Sequence, residues 1–572
     1  MSSPSGRWVL TFNGEIYNFK ALRRQLTNSG HSFKSESDTE VLVTALEAWG
    51  IPKTLKSLIG MFAFAAYDRQ SSELTLARDR LGQKPLYYGL HNNDFVFCSE
   101  LHCLKALPEL PSISRNSAAL MLRYKGIPAP HSIYQGIYKL LPGSFLTLSL
   151  ENFELKKPTK YWNPFVTSRS TTYTSENHAL STLEHHLKDA TVDRMASDVP
   201  LGAFLSGGID SSLIVSFMQE HSSQAIKTFT IGFQDKVFNE ANQAKAVADF
   251  LGTDHHQLYL EAEDIINLVP KIPGSLDEPF GDSSFVPTYL LSQLTRQHVT
   301  VALSGDGGDE LFGGYNRHVW LPQLERVLPK IPLAMRHTAM IILNSKASRA
   351  FLQALSKSGW LKTRMLDDKI DKIVSLLSSS KLEDMYRDAL SDWKEPSQVI
   401  RGAEIDRLSE FQDLPSELSS LQTLCYADMK LYLPDDILFK VDRASMAHSL
   451  ESRSPFLDHR LGEFSLNVAD GLKVRGKQGK YLPKTLLAQR LPQDLFDRPK
   501  MGFAVPLGNW LTSELRDWTE SLLSSQTLLN GDLMRPEPVL RAWKEHLNKK
   551  KNHQSRLWNA LILIGWLEEM QK

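Results

Sequence analysis

A glycine- and serine-rich stretch at residues 205–212 constrains this chain more than any other feature. It reads Leu-Ser-Gly-Gly-Ile-Asp-Ser-Ser, with an apolar run before it at 199–205 and an apolar helical pattern after it at 213–218. This order predicts a strand, a tight loop and a helix. Adjacent glycines let a ligand approach the backbone closely, and the free N–H groups at the start of a helix attract anions. The stretch therefore predicts a phosphate cradle, although a turn that binds nothing would have the same composition.

An acidic residue, Asp210, lies inside this loop, where its carboxylate would repel a phosphate. A divalent metal between the two removes the conflict, and Mg²⁺ commonly binds carboxylates together with nucleotide phosphates. The loop is not a Walker phosphate loop, because the Gly-Lys-Ser/Thr sequence is missing. The near-match at 471–477 is followed by Gln478 and has no clear strand before it, so we interpret it as chance.

A second stretch of the same kind, Ser-Gly-Asp-Gly-Gly-Asp-Glu at 304–310, follows the apolar run 299–303. Strands alternate with helical patterns from about residue 176, which predicts a parallel, doubly wound sheet. Ligands of such sheets bind beyond the carboxyl ends of the strands. We therefore expect both loops to face one crevice, with Asp210 and Asp309 as the Mg²⁺ ligands.

The remaining parts of the chain are predicted from coarser patterns. Residues 7–98 contain short strands and two helices, which indicates an α+β module. Residues 108–175 are rich in proline, and we expect irregular structure there. Beyond residue 320 the pattern is mostly helical, and residues 539–570 predict an amphipathic helical closure.

Length and charge restrict the class of protein. A chain of 572 residues is too long for one hydrophobic core, so at least two domains are expected. Lys+Arg and Asp+Glu are both 65, which gives no support to a nucleic-acid or membrane-surface role. Three cysteines in no metal or disulfide pattern, and no apolar stretch long enough to span a bilayer, predict a cytoplasmic protein.

Four motifs near the start of the chain resemble the glutaminase domain of the glutamine-hydrolysing asparagine synthetases, which belongs to the N-terminal-nucleophile class. They are Asn-Gly-Glu-Ile-Tyr-Asn at 13–18, Ser-Asp-Thr-Glu at 37–40, Gly-Met-Phe-Ala-Phe at 60–64 and Ala-Arg-Asp-Arg-Leu-Gly-Gln-Lys-Pro-Leu-Tyr-Tyr at 77–88. The resemblance implies that Asn13, Gly14, Glu15 and Asp38 hold glutamine. A tight turn at Asn13 and a helix cap at Asp38 are the structural alternatives.

The second half resembles the synthetase domain of the same family. Ser-Gly-Gly-Ile-Asp-Ser at 206–211 is similar to the pyrophosphate loop of ATP pyrophosphatases, and the stretches 433–447, 451–458 and 498–503 match in family order. The resemblance implies ATP contacts at Leu205, Ser206, Gly207, Gly208, Asp210, Ser211, Ser212, Ile231, Ser304 and Gly305. It also implies a catalytic lysine, Lys500. Asp306 stands where the family often has a glutamate that acts as a base.

The resemblance implies an α/β fold with two parts. Residues 1–165 would form an incomplete glutamine amidotransferase type 2 domain of the N-terminal-nucleophile (α+β) kind with a connecting region. Residues 176–572 would form a doubly wound, parallel-sheet synthetase domain of the ATP-pyrophosphatase type with a mostly helical C-terminal part. The implied activity is an ATP- and Mg²⁺-dependent ligase that converts aspartate to asparagine through β-aspartyl-AMP.

The nitrogen donor is the point at which this sequence departs from the family. The family's nucleophile is a cysteine directly after the initiator methionine, whereas this chain begins Met1-Ser2-Ser3 and already matches the family's sheet at Arg7. The resemblance implies that one or more strands of that sheet are missing, so we expect an exposed edge at 7–12. No nucleophilic cysteine is therefore assigned, and we expect the chain as written to use ammonia instead of glutamine. A start site that omits upstream coding sequence and a genuine loss of the glutaminase both explain this departure.

Two other functions remain open at the level of sequence. One alternative is an amidotransferase of the same fold that acts on another carboxylate, such as a sugar acid or a secondary metabolite, since the acceptor pocket is not evident from the sequence. A non-catalytic remnant would predict damage in the phosphate loops, and residues 206–212 and 304–310 are undamaged. The resemblance implies ATP, aspartate, and ammonia or glutamine as small-molecule substrates, and it leaves open whether the chain forms a homodimer.

Overall fold

The computed structural model describes the chain except for residues 168–171, 234–238, 346–347, 349–351, 353–369, 371–372, 375, 380, 406–413, 416, 498–504 and 572. Its first half contains an antiparallel sheet with strand order β1-β2-β3-β7-β8, in which β9 also pairs with β7, and a small sheet of order β5-β4-β6. These strands are β1 (Trp8–Ile16), β2 (Gly60–Asp68), β3 (Glu73–Arg78), β4 (Tyr87–His91), β5 (Asp94–Cys98), β6 (Ile137–Lys139), β7 (Ser144–Ser149), β8 (Glu154–Leu155) and β9 (Thr159–Lys160).

Two helices, α1 (Phe19–Asn28) and α2 (Asp38–Ser57), cover one face of the larger sheet. Side chains such as Leu22 and Leu46 pack there against Phe62 and Phe64 of β2. The opposite face packs against the smaller sheet. The first half therefore has the layered α+β architecture that the motifs predicted.

The prediction of irregular structure at 108–175 is wrong for much of that region. It contains helix α3 (Arg115–Tyr124) and strands β6 to β9, followed by the short helix α4 (Pro164–Thr167). Helix α3 begins after Ser114, whose side chain accepts a hydrogen bond from the backbone N–H of Ser117. The prolines at 128, 130 and 142 lie in the connections between elements, so they interrupt the pattern without preventing the helix or the strands.

The free edge of β1 is partly covered, which corrects the prediction of an exposed strand at 7–12. Ser2 forms an antiparallel bridge with Val9, and the amino group of Met1 donates a 2.7 Å hydrogen bond to the carbonyl oxygen of Leu10. The chain folds back through a turn at Gly6, whose φ of +76° favours glycine. Residues 1–3 thereby satisfy backbone groups that an open edge would leave to solvent.

The second half contains a five-stranded, all-parallel sheet of order β12-β11-β10-β13-β14. Its elements are α5 (Glu176–Met195), β10 (Leu201–Phe204), α6 (Ile209–Glu220), β11 (Lys227–Phe233), α7 (Ala241–Leu251), β12 (Asp254–Leu260), α8 (Ala262–Leu268), α9 (Ile272–Ser275), α10 (Phe285–Arg296), β13 (Val301–Leu303) and β14 (Glu451–Arg453). Helices α5 to α7 pack on one face and α10 on the other, so the sheet is doubly wound as predicted. The chain reverses direction across the sheet between β10 and β13, which is where such sheets bind ligands.

The C-terminal part is mostly helical in the described residues. Its helices are α11 (Gly308–Phe312), α12 (Asn316–Val327), α13 (Leu333–Asn344), α14 (Leu382–Leu390), α15 (Ser420–Ala427), a π-helical segment (Asp428–Ile437), α16 (Leu438–Met446), α17 (His459–Asn467), α18 (Asp470–Lys473), α19 (Tyr481–Ala488), α20 (Leu507–Thr512), α21 (Arg516–Leu523), α22 (Gln526–Leu529), α23 (Pro536–Leu547) and α24 (Gln554–Met570). In the described part of the chain, no helix is both long enough and apolar enough to span a bilayer.

The last helix corrects the prediction of an amphipathic closure. Every residue of α24 from 557 to 567 is buried, on all sides of the helix. Trp566 donates its indole N–H to the carbonyl oxygen of Leu276 in the second half, and Asn559 donates its side-chain amide to the carbonyl oxygen of Leu122 in the first half at 3.3 Å. A helix that is apolar all round belongs in a core. Helix α24 therefore joins the two halves of the molecule instead of covering one of them.

Candidate active site

The first phosphate loop begins where β10 ends and leads directly into α6. The hydroxyls of Ser206 and Ser211 lie 3.1 Å apart, and the backbone N–H of Gly208 donates to the Ser206 hydroxyl at 3.2 Å. Gly207 has a φ of +69°, and a Cβ there would lie 2.9 Å from the backbone of α7. The two serines stabilise a turn whose positive φ at Gly207 favours glycine. This turn places the first N–H groups of α6 at the carboxyl edge of the sheet.

The second loop follows β13, the strand next to β10, and contacts the first loop directly. A Cβ on Gly305 would lie 2.8 Å from the backbone nitrogen of Ser211, and a Cβ on Gly308 would lie 2.5 Å from the Oδ1 atom of Asp210. Both loops therefore face one crevice, as the paired motifs predicted. Their close approach depends on the missing side chains of these two glycines.

Asp210 and Asp309 converge on a residue that the sequence analysis did not identify, Lys480. Its ammonium group lies 2.6 Å from Oδ1 of Asp309 and is also paired with Asp210. Lys480 is buried at the start of α19. Against the effect of burial, the two carboxylates raise its pKa above the usual range. The one sequence signal was its place three residues after the near-match at 471–477, which we had interpreted as chance.

Both aspartates lie in the first turn of a helix, α6 and α11, and not in the loops themselves. Carboxylate oxygens are ligands that Mg²⁺ prefers, and Mg²⁺ usually takes one or two of them together with phosphate oxygens and water. A Cβ on Gly314 would lie 1.9 Å from Oδ1 of Asp309, so glycines keep space beside this carboxylate as well. The described residues hold no group of three or more side chains suited to a metal. Two carboxylates are a ligand set that Mg²⁺ accepts when phosphate oxygens and water complete its coordination.

Asp306, the predicted base, is anchored through its backbone carbonyl oxygen. Its carbonyl oxygen accepts a 2.6 Å hydrogen bond from the hydroxyl of Ser454, which directly follows β14. Burial raises the pKa of the Asp306 carboxyl, and the nearby charge of Lys440 opposes that effect. Asp306 shares a small cavity with Met61, Gln83 and other residues of the first half. The second loop therefore lies against the boundary between the two halves.

The predicted glutamine residues lie near that same boundary. Asn13 donates to the hydroxyl of Ser99 at 3.1 Å, and Asp38 accepts the backbone N–H of Ile16 at 2.9 Å. Gly14 pairs so closely with β2 that a Cβ would lie 2.1 Å from the carbonyl oxygen of Met61. Asp38 is not the cap of α2, since the side chain of the preceding residue, Ser37, caps the helix.

Glu15, the remaining predicted glutamine residue, forms a 3.2 Å ion pair with Arg453 of β14. Burial is the main reason that the pKa of Glu15 rises to about 7, and the charge of Arg453 opposes the rise. The carbonyl oxygen of Arg453 accepts the backbone N–H of Ser304 at 2.9 Å. Arg453 thus joins the predicted glutamine residues to the second phosphate loop.

The other predicted residues are placed as follows. Leu205, Ser212 and Ile231 are buried. The backbone N–H of Leu205 donates to Phe229 of β11 at 2.9 Å, which fixes the loop to the sheet. Lys500 lies outside the described residues, and its predicted role stays a prediction.

Comparison with known proteins agrees with this architecture. The family model "Asparagine synthase" matches residues 182–568, and the model "Glutamine amidotransferase domain" matches residues 1–162. The chain is 30% identical to asparagine synthetase [glutamine-hydrolyzing] 1 of Bacillus subtilis, over 98% of this chain and 85% of that protein. It is 31% identical to a putative asparagine synthetase [glutamine-hydrolyzing] of Mycobacterium tuberculosis, over 98% of this chain and 84% of that protein. With two phosphate loops meeting at the edge of a doubly wound sheet and a family match over most of its length, the chain belongs to the asparagine synthase family of ligases.

Proposed function

We propose that this chain is an ATP-dependent amide ligase that converts aspartate to asparagine through a β-aspartyl-AMP intermediate. The observation that carries the proposal is that two Ser-Gly loops bring Asp210 and Asp309 together around one buried lysine at the carboxyl edge of a parallel sheet. We assign the ligase to residues 176–572 and the amidotransferase-type part, with its connecting region, to residues 1–165.

The chemistry requires an activated carboxylate, because a free carboxylate would have to expel an oxide ion when ammonia attacks it. In the first step, an oxygen of the aspartate β-carboxylate attacks the α-phosphorus of ATP, the bond to the α,β-bridging oxygen breaks, and pyrophosphate leaves. In the second step, ammonia attacks the acyl carbon and loses a proton to a base. AMP then leaves with the electrons of the acyl C–O bond of this mixed anhydride, and asparagine remains.

The residues of the crevice supply positive and negative groups where these steps need them. The N–H groups at the start of α6 bind phosphate oxygens, and Asp210 and Asp309 would hold Mg²⁺, which when bound offsets the charge of the pyrophosphate. Lys480 already lies between these carboxylates and is positioned to meet the nucleotide phosphates. We assign to Lys500 the role of stabilising the negative charge that develops at the α-phosphorus in the transition state. This assignment rests on the family resemblance.

Asp306 is the proposed base that accepts the ammonia proton. Burial raises the pKa of its carboxyl, and a carboxylate with a raised pKa is a stronger base. Its backbone carbonyl oxygen accepts a hydrogen bond from the hydroxyl of Ser454, which fixes the position of the Asp306 backbone. The side chain is one methylene shorter than the glutamate that the family often has here. The acyl carbon must therefore lie correspondingly closer to Asp306 for this carboxylate to accept the ammonia proton.

We propose ammonia as the nitrogen source of a polypeptide that consists of these 572 residues. The three cysteines are Cys98, Cys103 and Cys425, and none of them has a free α-amine beside it to act as a base. Burial also raises the pKa of Cys98 to about 12, so its thiol is a poor nucleophile at neutral pH. All three are free thiols, which supports a reducing, cytoplasmic compartment.

The test is product analysis with labelled acceptor. Purified protein with ATP, Mg²⁺, aspartate and ammonium chloride is expected to form asparagine, AMP and pyrophosphate in equal amounts. Aspartate labelled with ¹⁸O in its β-carboxylate should transfer one labelled oxygen to AMP, because that oxygen stays on phosphorus when ammonia displaces AMP. Release of ADP and phosphate, or unlabelled AMP, would refute the adenylate. Glutamine should not replace ammonium, and glutamine-dependent asparagine formation by this polypeptide would refute the ammonia proposal.

A further inference from the structure

The lysine between the two proposed metal ligands uses the oxygens that a metal would need. The Lys480 ammonium group contacts Oδ2 of Asp210 and lies 2.6 Å from Oδ1 of Asp309. Mg²⁺ binds carboxylate oxygens at about 2.0–2.1 Å and demands near-octahedral geometry. An ion held by both aspartates would therefore share these oxygens with a second cation, and two cations so close together repel each other.

The two carboxylates are packed against glycines, which leaves them little room to turn away from the lysine. A Cβ on Gly308 would lie 2.5 Å from Oδ1 of Asp210. A Cβ on Gly314 would lie 1.9 Å from Oδ1 of Asp309. Both aspartates and Lys480 are also largely buried. An ion that binds both carboxylates therefore has to displace the ammonium group.

The backbone of Lys480 is fixed to the end of α11. Its N–H donates to the carbonyl oxygen of Phe312 at 3.1 Å. Gly479 packs so closely on the same end that a Cβ would lie 2.2 Å from the carbonyl oxygen of Gly313. The lysine side chain then passes Gly314, where a Cβ would lie 2.3 Å from Cε of Lys480. Glycines therefore keep open the path by which the ammonium group reaches the aspartates.

Only the side chain of Lys480 has to move for the carboxylates to take up a metal. Lysine carries its charge at the end of a flexible carbon chain, so the ammonium group can leave while the backbone hydrogen bond stays. Its departure alone would leave a buried ammonium and two carboxylates without their partners, which is costly. Nucleotide phosphates give the ammonium group another anion, and the metal gives the carboxylates another cation. The exchange is therefore favourable when metal and nucleotide arrive together.

We propose that Lys480 excludes a divalent metal from Asp210 and Asp309 until a nucleotide binds, so that the metal enters this site only together with the nucleotide. The inference rests on the proposed function, which assigns the metal to these aspartates, and adds the order in which metal and nucleotide bind. If the ammonium group occupies the carboxylates for at least about nine-tenths of the time, the apparent affinity for free metal falls at least about 10-fold. A purely structural lysine would have the opposite effect, because its removal would disturb the two carboxylates and weaken metal binding.

The test measures binding of Mn²⁺, which takes the same oxygen ligands as Mg²⁺, to the full chain without nucleotide. Bound metal is determined from the loss of the electron paramagnetic resonance signal of the free ion. The neutral variants Lys480→Met and Lys480→Gln are expected to bind Mn²⁺ at least about 10-fold more tightly than wild type. Lys480→Arg keeps the charge and should exclude the metal as wild type does. Lys477→Met is the matched control, since Lys477 is exposed, and should leave the affinity unchanged.

Two further measurements locate the ion and its dependence on nucleotide. Combining Lys480→Met with Asp309→Asn should abolish the gain in Mn²⁺ affinity, because one of the two ligands is then neutral. In thermal unfolding, Mn²⁺ alone should raise the Tm of Lys480→Met more than that of wild type. Mn²⁺ together with an ATP analogue whose α,β-bridge cannot be cleaved should raise the Tm of both proteins.

The outcomes separate this inference from the proposed function. Wild-type protein that binds free Mn²⁺ at micromolar concentration without nucleotide overturns the inference, whether or not a variant folds. Folded neutral variants that bind Mn²⁺ no better than wild type overturn it too, as does a gain that survives Asp309→Asn, since the ion then binds elsewhere. None of these results affects the ligase, which stands if aspartate-dependent pyrophosphate is released. A gain confined to the neutral variants, without pyrophosphate release by wild type, supports the role of Lys480 and refutes the ligase.

Discussion

Replacing Lys480 by methionine tests the electrostatics of the crevice without any assumption about catalysis. Methionine keeps the length of the side chain and removes its charge, so Asp210 and Asp309 would face each other without the ammonium group that now joins them. The backbone φ of +54° at this position is unfavourable for both residues, so backbone strain cancels in the comparison. The variant therefore reports the charge alone.

The magnitude follows from burial. The side chains of Lys480, Asp210 and Asp309 are 7%, 15% and 20% exposed. Removing one partner from a buried ion pair costs about 3–5 kcal/mol, and the partial exposure of the aspartates favours the lower end, about 3 kcal/mol at pH 7. Because the pKa of Lys480 is raised, its contribution is present at all pH values below the usual lysine pKa, of about 10.4, and is lost as pH rises through the folded-state pKa.

The assay is thermal or urea unfolding of the intact chain, with Lys477→Met as the matched control, because Lys477 is exposed three residues earlier. The deficit of Lys480→Met should shrink as pH falls toward about 4, where free carboxyl groups become protonated and stop repelling each other. Millimolar Mg²⁺ should restore stability to the variant, by about 2.7 kcal/mol at one hundred times the dissociation constant. A variant as stable as wild type at pH 7, or one that Mg²⁺ does not stabilise, would refute the reasoning.

Three further predictions concern catalysis and pH. Asp210→Asn or Asp309→Asn should lower aspartate-dependent pyrophosphate release at least about 100-fold while circular dichroism stays unchanged, since both carboxylates would hold Mg²⁺ at the phosphates; near-normal release in Mg²⁺ would contradict the metal assignment. Lys500→Ala should reduce kcat and kcat/KM equally if the lysine acts only in the transition state, whereas a change confined to the KM for ATP would make it a ground-state contact. Glu15→Gln should flatten the loss of stability between pH 4.5 and about 7, because burial raises the folded-state pKa of Glu15 and stability is lost as pH rises through it. The difference from wild type should reach about 1 kcal/mol after allowance for solvent screening, and parallel melting curves across that pH range would exclude it.

Local sequence was sufficient to predict those features that depend only on neighbouring residues. The strand–loop–helix order around residues 205–212 and 304–310 follows from apolar runs and glycines within a dozen residues, and the structure confirms it. The doubly wound sheet follows from the alternation of strands and helices, whose crossover geometry leaves few alternatives. The prediction of irregular structure at 108–175, which was based on proline content, was wrong for much of that region. Prolines mark the connections between elements and do not exclude a helix such as α3.

Only the tertiary structure determined which distant side chains share a site. Lys480 meets Asp210 across 270 positions of sequence, and Arg453 meets Glu15 across 438. Helix α24 shows an apolar pattern that fits a surface helix or a core helix, and its burial depends on elements far away in the chain. Ion pairs and burial depend on chain segments that approach only after the sheet has formed, so no local pattern encodes them. The sequence by itself therefore determined the two glycine-rich loops and the fold class. Packing decided the other two features, the position of Lys480 between the two aspartates and the ion pair that links the two halves.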